Sequence, residues 1–269
     1  MVISDLDGTL LNNNNEISPT DIDTLKKLGT KQITRVIATG RNLYSALKAL
    51  TPETPIDFLV FSSGAGILNW KTKELIFCAY ISAPSVNELK LFFINEFFDF
   101  MIHDPVPDNH FFYYWSSGKQ NKDFLRRLSV YKPYARQLMS KDFILGKASQ
   151  FIIIVPEYHD LQSELKMKLP NLNIIRTTSP LDGKTTWIEI FPYTISKAHA
   201  SQWLINQFNL NPHITLAIGN DYNDSDLLKW AGHSYVVENG VIELKDKHQL
   251  TTSNAENGFT NAVKKVYDL

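Results

Sequence analysis

Short apolar runs rich in β-branched residues alternate along the chain with segments of helical periodicity, and this alternation restricts the possible folds more than any other feature. The runs at 1–4 and 33–38 are each followed by a polar turn and an amphipathic helix, and a third run lies at 58–61. Strand–helix–strand units of this kind build a parallel sheet with helices on both faces. We therefore predict an α/β fold with a Rossmann-like parallel sheet core flanked by helices.

The sequence changes in character between residues 82 and 182. Aromatic residues cluster at 92–100 and 111–115, and helices are predicted near 84–96, 121–131 and 158–169. We interpret 82–182 as a separate α+β domain inserted into the first domain, which then consists of residues 1–81 and 183–269. The run at 187–190 is expected to resume the first sheet, followed by strands at 215–218 and 235–237.

Composition argues against several classes of protein. Lysine and arginine number 27 against 28 acidic residues, so no overall positive field exists to bind nucleic acid. No run reaches the ~18 apolar residues of a membrane span, and the first five residues do not resemble a secretion signal. Cys78 is the only cysteine, which excludes an intrachain disulfide. We expect a cytoplasmic protein, a monomer or weak homodimer, that binds neither nucleic acid nor membrane.

Two aspartates follow the first apolar run, in the motif Asp5-Leu6-Asp7-Gly8-Thr9. On an extended segment their side chains point the same way, and a divalent cation or protonation of one carboxyl would relieve their repulsion. Taken alone, the motif could instead be a capping Asp followed by an Asp-Gly turn. Ligands of open α/β sheets bind at the carboxyl ends of strands, so we treat the pair as a candidate site.

Three further segments place polar residues at comparable positions. Thr39-Gly40-Arg41 follows the strand at 33–38, where a hydroxyl and backbone N–H groups can form an anion cradle. Lys197 begins a helix, although most lysines are simply solvated. The segment 219–226 holds three acids and two carboxamides. Capping a helix requires only one or two of these, so the surplus indicates metal coordination.

Together and in this order, the four motifs resemble those of the haloacid dehalogenase-like hydrolase superfamily, in its Cof and sucrose-phosphatase (type IIB) branch. Ser63-Gly64-Ala65 and the segment 254–259 are supporting matches. The resemblance covers roughly residues 1–80 and 185–269 and implies that the insert is a cap domain of the C2 type. It also implies a Mg²⁺-dependent phosphatase that hydrolyses small phosphorylated metabolites, sugar phosphates in particular.

The resemblance implies a role for each motif. Asp5 would attack phosphorus to form an aspartyl-phosphate, and Asp7 would protonate the leaving group and then activate water. Thr39 and Lys197 would stabilise the transferring phosphoryl group. The implied substrate-binding residues are Thr39, Gly40, Arg41, Lys197 and Asn223. The implied Mg²⁺ ligands are Asp5, the backbone carbonyl of Asp7, Asn220 and Asp224.

One position departs from the family pattern, because relatives usually carry aspartate where this chain has Asn220. Either the Asn220 amide oxygen binds the metal while Asp224 holds a metal-bound water, or the loop is reset so that Asp221 reaches the metal. We prefer the first reading, since it keeps Asn223 and Asp224 at the positions that the family pattern gives them. Carboxamide oxygens are also ligands of hard cations. Two alternative functions remain open: a phosphomutase or phosphotransferase on the same scaffold, and a non-catalytic phosphosugar-binding protein.

Overall fold

The computed structural model describes residues 1–155, 161–179, 185–211 and 213–268. The chain divides into two compact units. The first unit comprises Met1–Phe77 and Ser196–Leu269, and the second comprises Cys78–Ile195. In the described parts of the chain, none of the helices combines the length and apolar character needed to cross a membrane.

The strands and helices of both units are numbered here in chain order. The strands are β1 (Val2–Ser4), β2 (Arg35–Ala38), β3 (Phe58–Phe61), β4 (Gly66–Asn69), β5 (Leu75–Cys78), β6 (Phe100–His103), β7 (Phe112–Trp115), β8 (Ala135–Gln137), β9 (Gln150–Val155), β10 (Leu172–Thr178), β11 (Thr186–Pro192), β12 (Leu216–Gly219), β13 (His233–Val237) and β14 (Gln249–Thr251). The α-helices are α1 (Pro19–Thr30), α2 (Leu43–Ala49), α3 (Ala83–Asn95), α4 (Lys122–Val130), α5 (Leu161–Lys168), α6 (Lys197–Phe208), α7 (Ser225–Trp230), α8 (Ile242–Lys245) and α9 (Gly258–Val266).

The first unit is built on a sheet in the order β14-β13-β12-β1-β2-β3-β4-β5. The pairs from β14 to β3 are parallel, and β3 pairs with β4 in the antiparallel direction. Ile3, Val36 and Ala217 belong to one buried cluster with Ala200 and Leu204 of α6. The predicted α/β class with a parallel core is therefore confirmed, and the carboxyl ends of β1, β2, β3 and β12 lie at one edge of the sheet.

The start of α1 shows how local sequence determines an element. Ser18 is the N-cap, its side chain accepts a hydrogen bond from the Asp21 N–H, and Pro19 occupies the first helical position. Gly29 lies inside the helix, one residue before its end. It packs against Arg35, whose guanidinium would lie within 2.3 Å of a side-chain carbon at Gly29.

The second unit contains a mostly antiparallel sheet in the order β10-β11-β9-β6-β7-β8. Successive residues of a strand face opposite sides, so Phe151 and Ile152 enter different cores. Phe151 packs with α3 and α5, whereas Ile152 packs with Phe124 of α4. The aromatic run at 111–115 includes β7 (Phe112–Trp115), which supplies side chains to both cores, as a strand covered on two faces does.

The predicted return to the first sheet at 187–190 is wrong. These residues lie in β11, which pairs antiparallel with β10 and β9 in the second sheet. A buried apolar strand carries the same pattern in either sheet, so its sequence does not identify its partner. The predicted boundary at 182–183 lies outside the described residues, as do residues 158–160 of the helix expected at 158–169. Residues 185–195 belong to the second unit, which begins at Cys78 rather than at residue 82.

Candidate active site

A buried lysine joins the first, third and fourth motifs. The Lys197 Nζ donates to Asp5 Oδ1 and to Asp224 Oδ1, each at 2.6 Å. Asp5 follows β1, Lys197 is the first residue of α6, and Asp224 lies in the turn after β12. All three are at most 5% exposed. Side chains separated by up to 192 positions in sequence are therefore brought into direct contact by the parallel sheet.

The capping of α6 helps to place the lysine. Ser196 is the N-cap of α6, and its hydroxyl accepts the His199 N–H at 3.2 Å. The first helical residue then projects its side chain toward the sheet edge. Burial alone would lower the pKa of Lys197, but the carboxylates of Asp224 and Asp5 outweigh that effect and raise it. The lysine is therefore an ammonium ion at neutral pH.

The Asp5 carboxyl is buried near two other aspartates, and the one ammonium group of Lys197 does not balance them. Burial raises the pKa of the Asp5 carboxyl to about 8, although the ammonium of Lys197 opposes the rise. The charges of Asp224 and Asp7 add to the rise in pKa. Desolvation and two like charges both disfavour the Asp5 carboxylate. A cation beside Asp5 would oppose this effect and favour the ionised carboxylate.

Asp7 forms a different contact from its neighbour two positions earlier. Arg41 Nε donates to Asp7 Oδ2 at 2.8 Å and Arg41 Nη2 donates to Asp7 Oδ1 at 2.6 Å. The Asp7 side chain is 43% exposed, so its carboxylate is accessible from solvent. The resemblance implied that Arg41 binds substrate. The structure places its guanidinium on the carboxylate of Asp7.

The second motif is held from two sides by backbone contacts. The Thr39 N–H donates to the Val60 carbonyl at 2.9 Å, and the Thr39 carbonyl accepts the Ser63 N–H at 3.0 Å. A side-chain carbon added at Gly40 would lie 3.3 Å from Asn223 Nδ2 and 3.6 Å from Ser63 Oγ. Gly40, Ser63 and Asn223 therefore surround one point at the sheet edge.

Ser63 was not among the predicted site residues. It is fully buried, and Ser62 and Ser63 both have positive φ angles, of 49° and 52°. Non-glycine residues in this left-handed region are strained and often occur at functional sites. The only sequence signal was the supporting match Ser63-Gly64-Ala65. A positive φ at a serine cannot be read from the residue type.

The fourth-motif loop places Asn220 and Asp221 in different surroundings. The Asp221 side chain caps the short helical turn at Tyr222–Asp224 by accepting the Asp224 N–H. Asp224 Oδ2 in turn accepts the N–H groups of Asn220 and Asp221, at 2.9 and 3.1 Å. The Asn220 side chain lies against the first motif, with Nδ2 2.6 Å from where a side-chain carbon at Gly8 would stand. The Asn220 side chain therefore lies beside Gly8 of the first motif, whereas the Asp221 side chain is engaged in the helical cap.

Asn239 is a second residue that the sequence did not single out. Its Nδ2 donates to the Gly8 carbonyl at 2.8 Å, and its Oδ1 accepts the Asn254 N–H at 2.9 Å. The Val241 N–H donates to the Asn220 carbonyl at 2.9 Å. This loop after β13 therefore braces both acidic segments. In the sequence, Asn239-Gly240 has the composition of an ordinary turn, so its contact with the first motif could not be predicted.

The donor set fits a hard divalent cation. Within the described ranges no three His, Cys, Asp or Glu side chains are grouped as a metal site. The implied ligands need no such group, because Asn220 and the Asp7 carbonyl supply two of the oxygens. Asp5 uses only Oδ1 for Lys197, so Oδ2 can bind a metal. All of these ligands are oxygens, which Mg²⁺ prefers.

Comparison with known proteins adds an independent line of observation. A model of the family described as haloacid dehalogenase-like hydrolase matches residues 2–263. A Bacillus subtilis protein named 5-amino-6-(5-phospho-D-ribitylamino)uracil phosphatase is 24% identical, over 94% of this chain and 93% of its own length. The solved structure of SMU.1108c from Streptococcus mutans has a TM-score of 0.80 at 18% identity, covering 98% and 97% of the two chains. A structure described as a HAD subclass IIB sugar phosphatase has a TM-score of 0.75 at 18% identity, with the same coverage.

Proposed function

This chain belongs to the haloacid dehalogenase-like hydrolase family and is a phosphatase, and from that premise we propose a substrate class, a cofactor and a mechanism. The substrates are small phosphorylated metabolites, sugar phosphates in particular. The reaction requires Mg²⁺ and proceeds through an aspartyl-phosphate on Asp5. The observation that carries the proposal is the buried contact of Lys197 with both Asp5 and Asp224, at 2.6 Å each.

The first half-reaction transfers the phosphoryl group to the protein. A carboxylate oxygen of Asp5 forms a bond to phosphorus as the bond from phosphorus to the leaving oxygen breaks. Asp7 gives its proton to that oxygen, so that an alcohol departs rather than an alkoxide. Lys197 orients Asp5 and offsets charge on the phosphoryl oxygens.

The second half-reaction returns the protein to its starting state. A water oxygen attacks phosphorus, Asp7 takes a proton from that water, and the bond between phosphorus and Asp5 breaks. Inorganic phosphate leaves, and Asp7 is again protonated for the next turnover. Splitting one displacement into two lets the same carboxyl act first as acid and then as base.

The phosphoryl oxygens are bound where the second and fourth motifs meet. Gly40 and Asn223 lie close together at the carboxyl edge of the sheet, and Thr39 directly precedes Gly40 in the chain. Asn223 offers an amide donor, and Thr39 offers a hydroxyl that already accepts the Arg41 N–H at 3.1 Å. The Thr39 hydroxyl therefore has its own proton to donate to a phosphoryl oxygen.

Asp5, the carbonyl of Asp7, Asn220 and Asp224 would hold Mg²⁺, with Asp224 acting through a water. When bound, Mg²⁺ supplies a positive charge that clamps the phosphoryl oxygens and favours ionised Asp5. Asp5, the Asp7 carbonyl and Asn220 would bind the metal directly. Asp224 would act through a water, because it already binds Lys197 through Oδ1 and two backbone N–H groups through Oδ2.

The sugar-phosphate preference is supported by the names of relatives rather than by contacts in this chain. One structural neighbour is described as a sugar phosphatase, and one sequence relative is named for a phosphorylated ribityl compound. The net charge of −1 gives no basis for a nucleic-acid substrate. A cytoplasmic location and a monomeric or weakly dimeric state stay predictions.

Activity assays on the purified protein test this proposal. We expect release of inorganic phosphate from 4-nitrophenyl phosphate and from a panel of phosphorylated hexoses, pentoses and polyols with Mg²⁺, and its loss with EDTA. Asp5→Asn should abolish turnover, whereas the matched control Asp57→Asn, at the opposite end of the sheet, should retain it. Transfer of phosphate to a second hydroxyl compound instead of water would indicate the phosphotransferase alternative. Binding of sugar phosphates without any turnover would indicate the non-catalytic one.

A further inference from the structure

Arg41 and Asp7 form a two-point ion pair at the edge of the site. Nε and Nη2 of the guanidinium each bind one oxygen of the carboxylate, at 2.8 and 2.6 Å. A planar fork of this kind fixes the orientation of a carboxylate as well as its position. We propose that Arg41 is a positioning residue for Asp7, and not a ligand of the transferred phosphate. The inference rests on the proposed function, because that function assigns the proton transfers to Asp7.

Arg41 is itself anchored along its whole length. Its N–H donates to Thr39 Oγ1 at 3.1 Å, and its carbonyl accepts the Ser62 N–H at 2.7 Å. Its Nη1 donates to the Ser45 carbonyl in the first turn of α2, at 3.2 Å. The guanidinium therefore approaches Asp7 from a fixed base. It is a rigid support, unlike a long side chain that is free in solvent.

Asp7 needs such a support. Its side chain is 43% exposed and lies in an irregular turn just before Gly8, whose φ is 70°. An exposed aspartate can adopt several rotamers, yet the proposed mechanism requires one carboxyl to reach the leaving oxygen and then a water. Misplacement of a reacting group by about 1 Å can slow a reaction about a hundredfold.

The fork leaves Asp7 able to carry a proton. Each carboxylate oxygen has two lone pairs, and Arg41 occupies one on each oxygen. The second lone pair of either oxygen can hold the proton that goes to the leaving oxygen as its bond to phosphorus breaks. The same lone pair can accept the proton of the attacking water. Positioning and proton transfer are therefore compatible at one carboxyl group.

The two roles for Arg41 predict different kinetics. A phosphate ligand contributes to every substrate, so its loss raises KM and slows transfer to Asp5 for all of them. A positioning residue matters only where Asp7 moves a proton. A 4-nitrophenolate leaves without a proton, so the first half-reaction with 4-nitrophenyl phosphate bypasses Asp7, whereas an alkyl phosphate requires it.

Arg41→Lys is the decisive variant, because lysine keeps the charge but cannot form the fork. Arg35→Lys is the matched control. Arg35 forms an equivalent fork to Asp57, at 2.9 and 2.6 Å, at the opposite end of β2. We expect Arg41→Lys to lower kcat for an alkyl phosphate about 10- to 100-fold. The rate of the 4-nitrophenolate burst, and the substrate concentration at which that rate is half-maximal, should change by less than about threefold, and Arg35→Lys should change none of these.

A double-mutant comparison sharpens the test. In an Asp7→Asn background there is no proton transfer to position, so Arg41→Lys should change kcat for the alkyl phosphate by less than about twofold. Thermal unfolding of each variant identifies a folding defect. Arg41→Gln, measured in the same way, replaces Arg41→Lys should that variant not fold.

The inference is overturned if Arg41→Lys slows the 4-nitrophenolate burst as much as it slows turnover of the alkyl phosphate, or if it slows the Asp7→Asn protein as much as the parent. A parent protein that hydrolyses no phosphate monoester, or an Asp5→Asn variant with full activity, would overturn the proposed function and the inference with it. The two failures are therefore distinguishable.

Discussion

Replacing Lys197 by methionine tests the buried charge cluster directly. Methionine fills similar space but leaves the carboxylates of Asp5 and Asp224 without their shared ammonium. Both contacts are 2.6 Å long, and the three side chains are 0–6% exposed. Breaking a buried ion pair by removal of one partner costs ~3–5 kcal/mol, because the charge left behind is neither paired nor solvated.

We therefore expect Lys197→Met to lower the free energy of unfolding by about 4 kcal/mol near neutral pH. The value stays within the range for one pair, although two carboxylates lose a partner, because one of the two carboxyls can take up a proton. The assay is denaturant unfolding in EDTA, so that no metal ion replaces the lost charge. Adding Asp224→Asn to the variant removes one uncompensated charge and should recover about 2 kcal/mol.

Lys90→Met is the matched control. Lys90 is also buried, at 1% exposure, but its ammonium group donates its hydrogen bonds to neutral acceptors, the Phe143 carbonyl and Asn87 Oδ1. Its replacement should cost only about 1–2 kcal/mol, the penalty of unsatisfied neutral acceptors. A loss at Lys197 below about 1 kcal/mol, or equal to that at Lys90, would refute the view that Lys197 neutralises a desolvated carboxylate cluster.

Three further predictions concern the metal, the fourth motif and pH. Asn220→Asp should tighten Mg²⁺ binding about tenfold in calorimetric titration, because a charged ligand replaces a neutral one; equal or weaker binding would contradict its assignment as a ligand. Gly219→Ala should reduce turnover at least about tenfold, since its new carbon would lie 2.6 Å from the Asp224 side chain, and parental kinetics would contradict this contact. Burial lowers the pKa of His103 to about 3 in the folded protein. In the unfolded chain a histidine takes up a proton near about pH 6.5, so the free energy of unfolding decreases as the pH falls below about 6.5. The stability of the parent relative to His103→Gln should fall by about 2 kcal/mol between about pH 7 and pH 5, and a constant difference would contradict the burial effect.

The fold of the first unit could be predicted because its strands are short, apolar and followed by polar turns. Ser18-Pro19 marks the start of α1, and the strand at 215–218 is β12 in the sheet. The sheet membership of β11 could not be predicted. Its run of consecutive buried residues suits a central antiparallel strand as well as a parallel one, and only the pairing with β9 and β10 decides between them.

The candidate site was predictable where chemistry depends on residue type at a strand end. Asp5 and Lys197 meet as the ordered motifs implied. The contact of Arg41 with Asp7 was not predictable, because an arginine after a strand can bind either a phosphate or a carboxylate. Ser63 and Asn239 were missed for another reason: their roles follow from a positive φ and from a loop contact, which single residue types do not reveal.

The most direct test of the account is whether Asp5 carries the phosphoryl group during turnover. Protein quenched in acid while hydrolysing 4-nitrophenyl phosphate should show, by peptide mass spectrometry, one phosphoryl group on the peptide that contains Asp5. Hydroxylamine should remove it, as expected of an acyl phosphate, and the Asp5→Asn variant should show none. A phosphoryl group on another residue, or turnover at the parental rate in the Asp5→Asn variant, would contradict the account.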